Sequence, residues 1–396
     1  MYNIFIHISY LVLHLTSILF KSHKKWRIEQ TNLFNKLHHQ TKQTIWFHCA
    51  SFGEYQQIKP LITHYNKLGE EIIITFFSSS GYDNFDEHSL ITQISYLPID
   101  IMSKMDKFIQ TIKPKFVFIA NNEVWPNMIK CLNTKQIPLF LIGYKFNKKP
   151  PLFVKYFYLK ELAKFNHIFS QDRETYNYLN TYNIKNILLG NLRINQIIID
   201  SKKQINDKKL KHIAQKYKVV IYGSVELTDC SIIENSINSL NDVKHIIVPH
   251  NYNDPKIYSE LTKRITKTQL LYSQINSENF NDFDVLLIDV FGLLKYIYQL
   301  SSIVYIGGGF GSGIHNILEP AVFNNYILFG PNHSKFPETS YIIKEKIGNH
   351  IVNGIELKHN IETILHTKNK KINNSAFFKK HSVDLNVIFS VISKIY

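Results

Sequence analysis

Thr44-Ile45-Trp46-Phe47-His48-Cys49-Ala50-Ser51-Phe52-Gly53-Glu54 is the stretch on which the fold turns: an apolar run, then a small glycine-containing loop that ends on a carboxylate. A short apolar run bounded by small residues reads as a buried strand, and a carboxylate just beyond it suits the first turn of a helix, where the dipole favours negative charge. Outward from it the pattern repeats. Strand candidates follow at Glu71–Phe76, Lys115–Ala120, Pro138–Ile142, His167–Ser170 and Ile187–Leu189, with helical stretches between them. After a Lys-rich helical stretch, Ser201 to Lys218, a second series runs through Val219–Tyr222, His245–Val248, Asp284–Ile288, Ser302–Ile306 and Tyr326–Phe329. Strands alternating with helices build parallel sheets from βα units, so the expected class is α/β, with two Rossmann-like domains facing a central cleft. The expected division is 1–30 for an anchor and its basic flank, 31–200 for the first domain and 201–396 for the second with a terminal helix.

The 396 residues are 44% hydrophobic and 13% aromatic, enough for two packed cores, which excludes a disordered, fibrous or polytopic membrane protein. Cys49, Cys131 and Cys230 form no CxxC pair, which argues against a disulfide scaffold or zinc module. The formal charge is +15, yet only four of the 46 cationic residues are Arg (Arg27, Arg173, Arg193, Arg264). The chain is also rich in Ile, Asn, Tyr and Phe, all with AT-rich codons, so the charge is not read as a nucleic-acid surface.

Met1 to Phe20 contain no Asp, Glu, Lys or Arg. As a helix they would run about 30 Å, the thickness of a bilayer's hydrocarbon core. Asn3, His7, Tyr10, His14 and Ser17 nonetheless form one polar stripe, which fits a helix lying in the interface as well as one that spans. Lys21, Lys24, Lys25 and Arg27 follow around Trp26, an arrangement suited to an anionic cytoplasmic leaflet. An uncleaved anchor with the rest on the cytoplasmic side is expected.

Several strand ends carry chemistry. Glu54 is either a helix-start carboxylate or a general base for a hydroxyl, and Gly53 permits a tight turn or close approach of a ligand. Asn121-Asn122-Glu123-Val124-Trp125-Pro126-Asn127 follows another strand; Glu123 is placed to hold a sugar or to serve a structural hydrogen bond, Trp125 to pack, and Pro126 to begin a helix. In the second half, Gly307-Gly308-Gly309-Phe310-Gly311-Ser312-Gly313 precedes an expected helix start, an arrangement that lets backbone N–H groups meet a phosphate. It lacks the Gly-Lys-Ser/Thr of a Walker loop. Glu319 lies four residues after His315, so both are expected on one helical face; the pair has no further ligands at matching spacing, so no metal is expected, and a carboxylate holding ribose hydroxyls suits it better. Gly223-Ser224, Pro249-His250-Asn251 and Asp289-Val290-Phe291-Gly292-Leu293-Leu294 bring polar or glycine residues to the same sheet edge.

These blocks, in this order, resemble the 3-deoxy-D-manno-octulosonic acid (Kdo) transferases of lipid A biosynthesis, which have the GT-B glycosyltransferase fold. The matching residues are Trp46 to Glu54, Leu97-Pro98-Ile99-Asp100, Glu123 to Asn127, Gly190-Asn191-Leu192-Arg193, Ile288-Asp289 with Gly292, His315-Asn316 through Glu319-Pro320, and Gly330-Pro331-Asn332. The family also begins with a short membrane anchor. The resemblance implies an inverting, metal-independent transfer of Kdo, without a cofactor, from CMP-Kdo to the lipid A precursor lipid IVA at the inner membrane. It makes the first domain the acceptor domain and the second the donor domain. It implies Glu54 as general base, Arg193 in the place of a Lys proposed to stabilise the transition state, and Glu123 as the carboxylate carried over from the ETELWPN block. Contacts to CMP fall on Ser224, Pro249, His250, Phe291, Gly292, Leu293, Asn316, Ile317, Leu318 and Glu319.

Three positions depart from that pattern: Asn121 stands where the block's first Glu would be, His250-Asn251 replaces the usual Arg-His, and Leu293-Leu294 replaces Glu-Leu, leaving that contact to the backbone. The rival readings are another GT-B nucleotide-sugar enzyme, such as a UDP-sugar transferase or an epimerase, and a membrane-tethered nucleotide binder without catalysis.

Overall fold

Ile45, Trp46 and Phe47 are all fully buried, which consecutive strand residues achieve only when both faces of their sheet are covered. In the computed structural model, which describes residues 2–16, 21–146, 152–276, 282–334, 336, 338–366 and 373–396, they lie on β1 (Thr44–Cys49). With β2 (Ile72–Phe76), β3 (Gln93–Tyr96), β4 (Pro114–Ala120), β5 (Leu139–Tyr144), β6 (His167–Ser170) and β7 (Asn186–Leu188) it forms a seven-stranded parallel sheet of order β3-β2-β1-β4-β5-β6-β7. Trp46, Ile73 and Val117 pack on one face against the helices Met102–Ile112 and Pro126–Thr134. Phe47, Phe118 and Phe140 pack on the other, against Tyr55, Ile58 and Leu61 of the helix that follows β1.

The second sheet repeats the design with β8 (Lys218–Val225), β9 (Val243–Pro249), β10 (Gln269–Leu271), β11 (Val285–Leu287), β12 (Ile303–Ile306), β13 (Tyr326–Phe329) and β14 (Gly348–His350), in the order β10-β11-β9-β8-β12-β13-β14. Its pairs are parallel as well. The α/β expectation therefore holds for both halves. The three strands the sequence does not announce, β3, β10 and β14, all sit at sheet edges and are short and partly exposed.

The chain divides into Met1–Gln196 with His381–Tyr396, and Ile197–Lys380. The terminal helix, placed in the second domain from sequence, thus belongs with the first. Its residues Ile388 and Ile392 are buried in the first core, Phe389 stacks on His64 at 3.8 Å, and Asn195 exchanges two 2.7 Å hydrogen bonds with the backbone of Val383.

The expected anchor is α1 (Tyr2–Thr16), followed by a separate helix α2 (Lys21–Lys36); Met1 and residues 17–20 lie outside the described residues. Among the described residues no helix is long and apolar enough to cross a membrane. One face of α1 docks on the first unit: Tyr2 Oη donates to Asp100 at 2.7 Å, Asn3 accepts from Asn127 at 2.8 Å, Ile6 is buried, and Tyr10 meets Trp26 edge-on. Ile4, Ile8, Leu11 and Val12, at helical spacing, are each at least half exposed.

Candidate active site

In each sheet the strand order reverses at one place, where the connections of two neighbouring strands leave toward opposite faces; ligands of such sheets bind there, outside the carboxyl ends. In the first unit that place lies between β1 and β4, the two strands whose following segments carry Glu54 and Glu123. In the second it lies between β8 and β12, followed by Ser224-Val225-Glu226 and by the glycine-rich loop.

Glu54 stands in the first turn of α3 (Phe52–Lys67), which Ser51 caps by accepting the Glu54 N–H at 3.4 Å. The carboxylate accepts the Ala50 N–H at 2.5 Å. Burial pushes its pKa up; the Ala50 N–H pulls it back, Glu123's charge raises it further, and a hydrogen bond from the Asn121 side chain lowers it. A carboxyl with a raised pKa is a stronger base once ionised, as proton abstraction from a hydroxyl requires. The departure at Asn121 thus replaces a carboxylate with a donor to Glu54. Asn121 holds a left-handed backbone, φ 55°, which Asn tolerates better than most residues. Gly53 does not have a positive φ, and a Cβ there would meet only Ser51 Oγ at 3.9 Å. It is needed for neither turn nor packing.

Beneath the carboxylates lies a buried relay. Thr75 Oγ1 accepts the Trp46 indole N–H at 2.8 Å and lies 3.0 Å from His48 Nδ1. Indole donates only, so Thr75 Oγ1 is the acceptor from Trp46, while the direction of its bond with His48 Nδ1 follows the tautomer of that imidazole. His48 Nε2 is buried without a hydrogen-bond partner, 3.9 Å from Glu123 Oε2.

Glu123 accepts the Trp125 indole N–H at 2.9 Å, so Trp125, expected only to pack, also fixes a carboxylate while its ring lies tilted against Phe77. Pro126 opens its helix as expected. Asp100 is fully buried and accepts the N–H groups of Asn127 and Met128 at 2.9 and 2.8 Å. The Leu97–Asp100 and Glu123–Asn127 blocks are therefore two halves of one unit. Arg193 is exposed in the first turn of the helix Leu192–Ser201, where a cation opposes the dipole, so helix stability does not explain its position.

In the second unit the glycine-rich loop differs from expectation. A Cβ on Gly307 would lie 2.4 Å from Ser224 O, and one on Gly309 2.5 Å from Gly330 N, so those glycines are required by packing between loops. The loop continues to Ile317, and the helix Leu318–Ala321 has only four residues. His315 and Glu319 accordingly do not share a helical face. His315 Nε2 lies 3.0 Å from Glu226, and Glu319 accepts from the Asn316 side chain at 2.6 Å. Ile317, Leu318 and Pro249 are buried, whereas His250, Phe291 and Gly292 are exposed and Leu293 is partly so. Gly292 has φ 87° with nothing near its missing Cβ. Ser224 also takes a positive φ, 53°.

Asp229 was not singled out from sequence. Fully buried, it accepts from Tyr305 Oη at 2.6 Å and from the N–H groups of Gly308 and Glu226 at 2.8 Å, tying the β8 and β12 loops together. The signal available was a carboxylate three residues after Glu226, in a turn at a strand's carboxyl end.

Solved structures share this architecture. A UDP-GlcNAc 2-epimerase from Neisseria meningitidis bound to UDP-GlcNAc is 12% identical with a TM-score of 0.59, over 89% of this chain and 100% of that one. A glycosyltransferase from Rickettsia africae ESF-5 is 14% identical with a TM-score of 0.60, over 90% and 98%. The fold is thus that of the GT-B class, two Rossmann-like units with parallel sheets.

Residues 25–196 match the model of the family described as 3-deoxy-D-manno-octulosonic-acid transferase (kdotransferase). The 3-deoxy-D-manno-octulosonic acid transferase of Rickettsia typhi is 27% identical over 82% of this chain and 72% of its own length, and that of Aquifex aeolicus 25% over 83% and 87%. A bifunctional glycosyltransferase/methyltransferase of Fusobacterium nucleatum is 28% identical over 88% of this chain, which spans 57% of that relative's length. Over these regions the chain is similar to the Kdo transferases, a family of glycosyltransferases.

Proposed function

We propose that the protein transfers Kdo from CMP-Kdo to a hydroxyl of lipid IVA with inversion. The observation that carries this reading is Glu54, a half-buried carboxylate of raised pKa at the reversal point of the first sheet, near the second carboxylate Glu123. In the reaction Glu54 takes the acceptor hydroxyl's proton as that oxygen bonds to the anomeric carbon. The bond from that carbon to the CMP phosphate breaks on the opposite face, and its electron pair leaves with CMP. Arg193 offsets the charge developing on the phosphate, as preorganised cations do. The CMP moiety is assigned to the second unit's loops, with Ser224, His250, Gly292 and Glu319 among its contacts.

The acceptor is a lipid, and the exposed apolar face of α1 supports attachment to the cytoplasmic face of the inner membrane, lying in the interface rather than spanning it. A hollow of about 700 Å³ bordered by α1, with Asn3, His7, Met102, Lys130 and Lys135 in its wall, offers apolar and cationic groups beside that face.

Incubation of purified protein with CMP-Kdo and lipid IVA, read by mass spectrometry, tests the proposal. Product heavier by Kdo is expected with the native chain and none with Glu54→Gln, while calorimetric titration of CMP is unchanged by that substitution. Transfer at native rate by Glu54→Gln would remove Glu54 from the chemistry, and turnover of a UDP-sugar in place of CMP-Kdo would overturn the donor.

A further inference from the structure

Among the described residues one group of three possible metal ligands comes together: Glu226, His250 and His315, whose donor atoms all lie within 4.8 Å of one another. They are 24 and 65 residues apart along the chain, and three adjacent strands deliver them, since Glu226 follows β8, His250 follows β9 and His315 lies in the loop after β12.

Their backbones are tied to the same framework. The His250 N–H donates to Val225 O at 2.9 Å, the residue before Glu226, and the His315 N–H donates to Gly307 O at 3.2 Å. The Glu226 N–H donates to the buried Asp229 at 2.8 Å. The imidazoles stack at 4.0 Å with 16° between planes, and His315 Nε2 lies 3.0 Å from Glu226 Oε1. A Cβ on Gly308 would fall 3.1 Å from His315 Nε2, so this glycine, at φ 84°, leaves room beside that nitrogen.

A Glu226–His315 contact alone accounts for two of the three groups and leaves His250 stacked against them without a role. Two neutral imidazole nitrogens and one carboxylate oxygen are the donors of a borderline cation, whereas Mg²⁺ and Ca²⁺ prefer oxygen throughout.

We propose that Glu226, His250 and His315 form a binding site for a single Zn²⁺-class divalent ion, with one coordination position left to solvent or a ligand. Coordination at about 2.0–2.2 Å draws the three donor atoms inward and turns the two imidazoles out of their stack. His250 is also assigned above to the CMP contacts, so the ion and the nucleotide share that side chain, but the binding test needs neither Kdo nor lipid.

The test uses the full chain, stripped with a chelator and dialysed. Calorimetric titration with ZnCl₂ should give one strong equivalent, and Co²⁺ should give the visible absorption of a four-coordinate centre. His250→Ala, His315→Ala and Glu226→Gln should each weaken Zn²⁺ binding at least tenfold and abolish the Co²⁺ band, while His88→Ala leaves both unchanged. Circular dichroism of each variant confirms folding, and His315→Gln serves if His315→Ala is unstable. Because the chain holds 18 His, binding of native strength in all three ligand variants would place the ion elsewhere and overturn the proposal, as would the absence of a strong equivalent in the native protein.

Discussion

Asp100 and Asn127 are bonded in both directions: the Asp100 carboxylate accepts the Asn127 N–H at 2.9 Å, and the Asn127 side-chain amide donates back to the Asp100 carbonyl at 2.6 Å. The segment after β3 thereby caps the helix after β4, and Tyr2 brings α1 onto the same carboxylate. What looks in sequence like two separate blocks is one device that fixes where Glu123 leaves its strand.

Asp100→Ala should accordingly destabilise the first unit by about 3 kcal/mol, because it strands buried donors, whereas Tyr2→Phe, which removes one bond to a partly exposed helix, should cost about 1 kcal/mol. Urea midpoints of the two variants check this. Equal losses would mean that Asp100 serves chiefly to dock α1.

As the base proposed above, Glu54 must be ionised to accept a proton, so its raised pKa should set the acidic limb of kcat/KM above the ordinary carboxylate range. Glu123→Gln removes a charge that raises it, and the limb should move to lower pH. Asn121→Ala removes a donor that favours the ionised form, and the limb should move up. Pre-steady-state rates across the acid range separate these; shifts in the same direction for both would assign the limb to another group.

Gly53→Ala should leave the protein folded and slightly more stable, by about 0.5 kcal/mol, since Ala loses less backbone freedom in a helix. The added methyl stands on the residue before Glu54, so KM for the acceptor should rise about tenfold if the hydroxyl approaches past it. Thermal melts and acceptor titrations provide both readings, and an unchanged KM would place the acceptor elsewhere.

His245 is buried with Nδ1 3.1 Å from Tyr222 Oη, and desolvation lowers its pKa to about 4. The folded state therefore keeps it neutral while the unfolded chain takes a proton near pH 6.5. This contribution is complete above pH 6.5 and is lost as pH falls toward 4, up to about 3 kcal/mol. His245→Gln should flatten that acid loss, as seen in amide exchange of β9 at pH 7 and 4.5. An unchanged slope would mean that His245 does not titrate in this window.

Much of the fold was legible because a strand buried on both faces must be apolar almost throughout, and such runs end in small or polar residues at the carboxyl edge. Eleven of the fourteen strands announce themselves this way. Gln93–Tyr96, Gln269–Leu271 and Gly348–His350 do not, because an edge strand has one neighbour and needs less apolar surface. Glu54 and Glu123 were found for the same reason that β1 and β4 were, since each follows the end of a well-marked run.

The sequence by itself determined two βα series, the carboxylates at their edges and the blocks that carry the family resemblance, all of which are local patterns a few residues long. Only the tertiary structure decided that His315 meets Glu226 rather than Glu319, that Asp229 ties the two loops, that the glycines of 307–313 serve loop packing, and that the last sixteen residues return to the first unit. Neighbours in a parallel sheet are joined by long crossovers, so the loops that meet at its edge are remote in sequence, and local spacing carries no record of which of them touch.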